Sequence, residues 1–376
     1  MEKNYPEKLL KKYLRGECTE QEKAILESWH LESLKEHPQQ VNEAELQIAA
    51  KRLSERVKFP VQRKLVISQW YKIAAIMALL VSAAYLLFNS GNENYGVGTM
   101  QIKTAGIIPG KNKAVLYLAD GSKIELDNSK DGMIAKQGSA AINKGSSGFI
   151  TYSADKTNQA ASSGLINTIY VPLGGAYQLV LEDGSKVWVN SGSSVKFPVV
   201  FNAKQRIIEL VGEAYFEIAK EKGRPFIVKT DHQEILVTGT HFNVSAYPDD
   251  QLTTTTLLEG EVHVSNGTAK KILKPGQQSL LSSRSSSITI QIPDDLESIT
   301  GWKNGYFMSS HENIKSIMTK VARWYNVEVE YKGDFSDKYF TGTISKHEEL
   351  AEVLKIIGLT NSVIFKVEER RIFVMR

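Results

Sequence analysis

The 376-residue sequence carries a formal charge of +4 at pH 7, is 42% hydrophobic and 23% charged, and holds one cysteine, Cys18. This length suits two or three domains, each large enough to bury a core of its own. The nearly balanced charge argues against direct nucleic-acid binding, and a lone cysteine excludes an internal disulfide. His232, His241 and His263 fall among apparent strands with no cysteine or carboxylate at ligand-like spacing, so no metal or other cofactor is expected.

Residues 1–60 show helical periodicity and predict a small all-α head. Leu9, Leu10, Tyr13 and Leu14 share one face of a first helix that Gly16 ends, and Thr19-Glu20-Gln21-Glu22 reads as a capping box opening a second. Ile25 and Trp29 lie one turn apart on that second helix, and Leu46, Ala49, Ala50, Leu53 and Val57 recur at helical spacing in a third. Three short helices bury little surface. Most of these stripes pack on one another, and a partner protein is expected to complete the rest, with Leu10, Leu14, Ile25 and Trp29 as candidate contacts.

Residues 70–88 predict one transmembrane helix. Ile73 to Phe88 has Ser82 as its only polar side chain and would span roughly 24 Å, somewhat less than a bilayer core of about 30 Å. Trp70, Tyr71 and a snorkelling Lys72 bring it into range. Lys51, Arg52, Arg56, Lys58, Arg63, Lys64 and Lys72 crowd the N-terminal side, and no Lys or Arg follows before Lys103. That asymmetry predicts a cytoplasmic N-terminus, with everything after the span on the far side.

After Asn89 the texture becomes alternating apolar and polar residues broken by turn signals. Asp120-Gly121 and Asp183-Gly184 each separate two strand-like runs and predict hairpins, read as type I′ turns. They belong to an internal repeat, IIPGKNKAVLYLADGSKIEL and YVPLGGAYQLVLEDGSKVWV. Residues 95–168 are therefore read as a β segment, with a flexible Ser/Gly/Ala-rich linker from Asn128 to Asn167. Residues 169–292 are read as an all-β domain, a sandwich, barrel or solenoid, in which Ile208, Leu210, Gly212, Ala214, Phe216 and Ile218 share a face. Residues 300–376 predict an α+β domain of two matched βαβ-type units, offset by roughly thirty-six residues, with helices opened by Ser309/Glu312 and Ser345/Glu348 capping boxes. The final RRIFVMR is read as an edge strand.

The stretches VPLGGAYQLVLEDGSKVWVNSGSSVKFP, IIELVGEAYFEIAKEKGRPFIVKT, VTGTHFNVSAYPDD and LLEGEVHVSNG, within residues 170–281, resemble a FecR domain. From WKNGYF onward, including ARWYNVEVEY, the chain resembles the domain that follows it in Bacteroidetes-type members, itself similar to the short N-terminal domain of secretins and TonB-dependent receptors. The head, with YLRGECTEQEKAILESW, is similar to the family's anti-sigma region. The resemblance implies a single-pass inner-membrane protein whose cytoplasmic head holds an extracytoplasmic-function sigma factor. Its periplasmic C-terminal domain would receive a signal from the signalling domain of a TonB-dependent outer-membrane receptor, after which membrane proteases free the sigma factor. Ile372, Phe373 and Val374 of the last strand are the candidate receptor contacts, by strand addition.

The same resemblance raises self-cleavage at Gly239-Thr240, the Thr hydroxyl attacking the preceding carbonyl with His241 as a possible base. A Gly needed for a bend beside a β-branched Thr suited to a strand is the preferred account. A membrane-anchored envelope scaffold without a sigma partner is the alternative. A hydrolase or sugar binder using Trp188 and Tyr215 is the weakest class, since no acid-base pair of carboxylates supports it.

Overall fold

The structure, a computed structural model, describes residues 104–376 except 105, 147, 155–161, 163, 283–286 and 362. Residues 1–60 and 70–88, to which the helical head and the membrane helix were assigned, lie outside the described residues. The reading of the chain as an all-α head, a membrane helix and two further domains needs correction. The described residues form twenty-four strands and three α-helices, and no helix among them is long and apolar enough to cross a membrane.

The chain builds two β-sheets by moving back and forth between them. After a two-residue lead-in, β1 (Lys111–Asn112), the hairpin β2 (Val115–Tyr117) and β3 (Lys123–Glu125) starts the first sheet. The meander β4 (Gly132–Gln137), β5 (Ala140–Lys144) and β6 (Ile150–Ala154) starts the second. β7 (Ile166–Val171) returns to the first, and β8 (Gly175–Val180) with β9 (Lys186–Val189) extends the second. β10 (Ser193–Pro198) adds to the first beside β7. Later strands continue the pattern: β12 (Phe226–Lys229) and β13 (Glu234–Val237) in the first, β14 (His241–Ala246) and β15 (Leu252–Glu259) in the second, then β16 (Val262–Ser265) and β17 (Lys270–Leu273) in the first, and β18 (Gln278–Ser282) and β19 (Ile288–Gln291) in the second.

Between them β11 (Arg206–Glu217) belongs to both sheets. Its first half pairs with β10 and β12, its second half with β9 and β14. The change of sheet falls at Gly212, whose φ of +90° and close approach to Ser193 leave no room for a Cβ. Alternation survives the bend, so Ile208, Leu210, Ala214, Phe216 and Ile218 all enter one core. Tyr152 of the second sheet meets Phe197 of the first edge to face, with ring centroids 5.1 Å apart. The result is a sandwich.

Two local expectations change. Both Asp-Gly hairpins form, but only the glycines take positive φ, +84° at Gly121 and at Gly184. Leu118 and Leu181 each accept from the glycine amide and donate to the serine carbonyl that follows. That is a three-residue loop with one left-handed residue, a type I turn with a bulge. Within the stretch from Asn128 to Asn167, β4, β5 and β6 are strands and not flexible linker. Ala140, Ile142, Ile150 and Tyr152 are few, but they fall at alternate strand positions and bury against the rest of the core.

The C-terminal module begins with α1 (Leu296–Thr300), capped by Asp295, and a 3-10 turn (Gly301–Asn304). It continues through β20 (Tyr306–Asn313), α2 (Ile314–Tyr325), β21 (Glu328–Lys332), β22 (Tyr339–Ser345), α3 (Leu350–Asn361), β23 (Ile364–Glu368) and β24 (Arg371–Met375). Helical spacing predicts buried stripes of Ile314, Ile317, Met318, Val321, Ala322 and Tyr325 in α2 and Leu350, Val353, Leu354 and Ile357 in α3; all are buried except Ala322, which is half-buried, and Trp324 joins them. The strands flanking each helix do not share a sheet, so the units are not βαβ in the usual sense. β20 pairs with β22, while β21 and β23 lie on either side of β24, parallel and antiparallel respectively. Ser309 does not cap α2. It lies in β20, and Asn313 caps the helix by accepting from the Lys315 amide at 3.0 Å.

Candidate functional site

Strand alternation on β11 sends Glu213 and Tyr215 to the outer face of the second sheet, where Trp188 and Asn190 of neighbouring segments and Asn243 of β14 join them. Such a face ordinarily meets water. Here the C-terminal module lies over it, and a cleft of about 890 Å³ runs between the two. The 3-10 turn, helix α2 and the residue following β22 line the opposite wall.

Glu213 is the centre of the sandwich wall. Its carboxylate accepts from Asn190 Nδ2 at 2.8 Å and from Asn243 Nδ2 at 2.9 Å, and Asn243 Oδ1 accepts from Trp302 Nε1 at 3.2 Å. One polar chain thus crosses from sandwich to module. Burial raises the Glu213 pKa above the ordinary carboxylate range, opposed by those two amides and by the charges of Lys320 and Lys346.

Lys346 faces it from the module, only 2% exposed. Its ammonium lies 3.7 Å from the centroid of Trp324, about 6 Å from Phe307 and Trp302, and donates to the Trp302 carbonyl at 3.4 Å. Burial lowers its pKa to about 8, with the Glu213 charge pulling the other way. Nearby, Lys320 donates to Glu312 at 2.8 Å, and Lys303 sits 4.6 Å from the ring of Tyr215 and 5.4 Å from that of Trp188.

Arg323 forms the most direct clamp. Its guanidinium donates to both carboxylate oxygens of Asp250, at 2.7 and 3.2 Å, and to Asp249 at 3.0 Å. It also stacks 3.5 Å above the centroid of Tyr247, whose hydroxyl donates to the Ser191 carbonyl. Burial raises the Tyr247 pKa, so this ring stays a neutral platform. The arrangement suits holding two bodies together through charge and aromatic contacts. Among the described residues no group of three or more His, Cys, Asp or Glu is placed to hold a metal ion.

The residues expected to act are placed differently. Leu10, Leu14, Ile25 and Trp29 lie outside the described residues. Ile372, Phe373 and Val374 are not on an edge, since β24 is the central strand of its sheet and all three are buried. Gly239 has φ of +151°, and a Cβ there would come within 2.8 Å of the Lys220 Cα, so the bend requires glycine. The Thr240 hydroxyl donates to the Glu261 carbonyl at 3.0 Å, and His241 Nδ1 sits 3.1 Å from Glu259. No base engages that hydroxyl. Trp188 and Tyr215 pair edge to face under Lys303, which leaves no open platform for a sugar.

Sequence reasoning missed Glu213, Trp302, Arg323, Trp324 and Lys346 as a group. The signal for the first four was present in GEAYFEIAK, WKNGYF and ARWY, motifs rich in aromatics and charge, but Lys346 lies in the unremarkable TISKHEEL and nothing local says that they meet.

Two family models match the chain: FecR protein over residues 167–263, and FecR, C-terminal, over residues 306–374. No curated protein matches. Two crystal structures of a putative anti-sigma factor from Parabacteroides distasonis ATCC 8503, at 1.65 and 2.50 Å, are similar to this chain at 29% identity with a TM-score of 0.52. Each similarity covers 56% of this chain and 98% or 99% of that one.

Proposed function

The chain belongs to the FecR family, and from that premise we propose that it is an anti-sigma factor that sequesters an extracytoplasmic-function sigma factor and releases it on a periplasmic signal. The observation that carries this reading is the pair of FecR-type domains in order, together with the 29%-identical structure of a putative anti-sigma factor, matched over 98% of that chain and 56% of this one. The sigma factor binds the first sixty or so residues, with Leu10, Leu14, Ile25 and Trp29 as contacts. The protein acts at the inner membrane, its described domains facing the periplasm. The C-terminal module is the receiver, bound by the signalling domain of a TonB-dependent outer-membrane receptor, and membrane proteases complete the release.

Strand addition supports the receiver role, with one change of site. β21 and β23 are the outer strands of the three-stranded sheet, and Ile364 on β23 is an exposed apolar residue of that outer strand. The test is co-purification of the full-length chain with the sigma factor, set beside transcription from that sigma factor's promoters. Capture of the sigma factor and silent promoters are expected, with capture lost in a Leu14→Asp/Trp29→Asp variant. A chain that captures no extracytoplasmic-function sigma factor would leave the scaffold reading in its place.

A further inference from the structure

The lead-in to the sandwich is held by backbone bonds to β8 on one side and by the side chains of the C-terminal module on the other. Ile107 is 6% exposed and belongs to the module's hydrophobic cluster, as does the flank of Ala176. At Gly110 a Cβ would come within 2.7 Å of the Trp324 ring and 2.8 Å of the Gly174 carbonyl, so helix α2 sits directly on this backbone. The bonds continue in a line. Lys111 N–H donates to the Gly174 carbonyl at 3.0 Å, Lys113 N–H to Ala176 at 3.3 Å, and Gly174 N–H to the Arg323 carbonyl at 2.8 Å. That last bond satisfies a carbonyl left open at the C-terminus of α2.

The sandwich holds this segment through the short β1–β8 pairing and gives it no apolar socket. β1 is two residues long, both exposed, and Ile108 beside it is 72% exposed. Its only deep apolar anchor, Ile107, goes into the module. Beyond the flank of Ala176, the module is fixed to the sandwich by polar and aromatic contacts: Arg323 on Asp249, Asp250 and Tyr247, Trp302 on Asn243, and Lys346 opposite Glu213. Such contacts fix orientation closely, and water or a charged partner can replace them.

We propose that the C-terminal module is a releasable cover clamped over Ile107–Asn112, and that its lifting frees this segment, which joins the sandwich to the preceding hundred or so residues. A partner that binds the module better when it is lifted would thereby change the chain upstream of the sandwich. This deepens the signalling role proposed above, yet its test needs neither sigma factor nor receptor, so the two readings can fail separately.

The test is hydrogen–deuterium exchange on the full-length protein, comparing wild type with Arg323→Ala and Asp250→Asn, which break the clamp from opposite sides, and with Gly110→Ala, which wedges the socket under Trp324. In each variant, amides of residues 107–113 and Gly174 are expected to exchange at least ~10-fold faster while β11 and β14 keep their protection. The Arg323→Ala/Asp250→Asn double variant should add little to either single change. Unchanged protection at 107–113 in the variants overturns the proposal. Protection lost equally across β11 and β14 overturns it too, because the contacts would then hold up the whole fold rather than a cover.

Discussion

Arg206 is 0% exposed and its Nη1 lies 2.7 Å from Asp183, the turn aspartate of the second repeat copy. Asp183 also accepts from the Ser185 amide and hydroxyl, and Ser185 Oγ accepts from Ala219 N–H at 3.0 Å, so one turn locks the sandwich from inside. Asp120 in the first copy makes the same local bonds to Ser122 but is exposed, and among the described residues no arginine pairs with it. Removing one partner of a buried pair costs about 3–5 kcal/mol, so Asp183→Asn should lower the unfolding free energy by that amount in a urea titration. Asp120→Asn should leave the midpoint near wild type.

Lys346 gives a second prediction at this scale. Its folded pKa of about 8 lies below the unfolded lysine value, so the unfolded chain binds more protons between the two. Stability from this group is therefore lowest below about pH 8 and rises as pH climbs toward the unfolded value. A Lys346→Met variant lacks that rise. Wild type should gain roughly 2 kcal/mol on the variant between about pH 7.5 and 9.5 in paired denaturation curves, because several buried tyrosines are common to both and cancel. A constant difference between the two curves would mean that the amine is not buried.

At the scale of elements, the C-terminal module separates what a strand is from where it lies. RIFVM was legible as a strand, but its position was not. A terminal strand read from sequence has two free sides, and only the pairing of Glu328–Lys332 and Ile364–Glu368 to it makes it central. Phe373→Pro would remove a ladder bond and insert a ring between two partners, so it should unfold the module, seen as loss of its cooperative thermal transition. Ile364→Glu on the outer strand should leave that transition in place and weaken binding of a receptor signalling domain by at least ~10-fold. Equal binding by Ile364→Glu would move the receptor contact elsewhere. The helices show the same division. Helical spacing marks most of their buried stripes, but it puts Ala322, only partly buried, in the α2 stripe and omits the buried Trp324, and Ser309 mimics a cap because the bulged end of β20 carries the same residue types as a helix start.

For the whole molecule, the proposed cover sets an energetic demand on any partner of the module. If the covered state outweighs the lifted one by about a hundred to one, reversing that ratio takes a partner with roughly 10⁴-fold preference for the lifted state. Each clamp contact removed reduces that demand. The polar character of the seam fits a state that must be left as well as entered, whereas the sandwich, with its continuous core, serves as the fixed body.

The sequence alone settled what depends on neighbours in the chain. Alternation located the core face of β11, helical spacing located the stripes of α2 and α3, Asp-Gly located two hairpins, and long motifs in order located the family. Tertiary structure decided what depends on residues far apart: that β4, β5 and β6 lie in the Asn128–Asn167 stretch, that β24 lies between two others, and that Arg323 meets Asp250 while Trp324 covers the lead-in. The reason is range. A periodic pattern records only which side of an element is buried, while the partner that buries it stands tens to hundreds of residues away and leaves no mark in the local spacing.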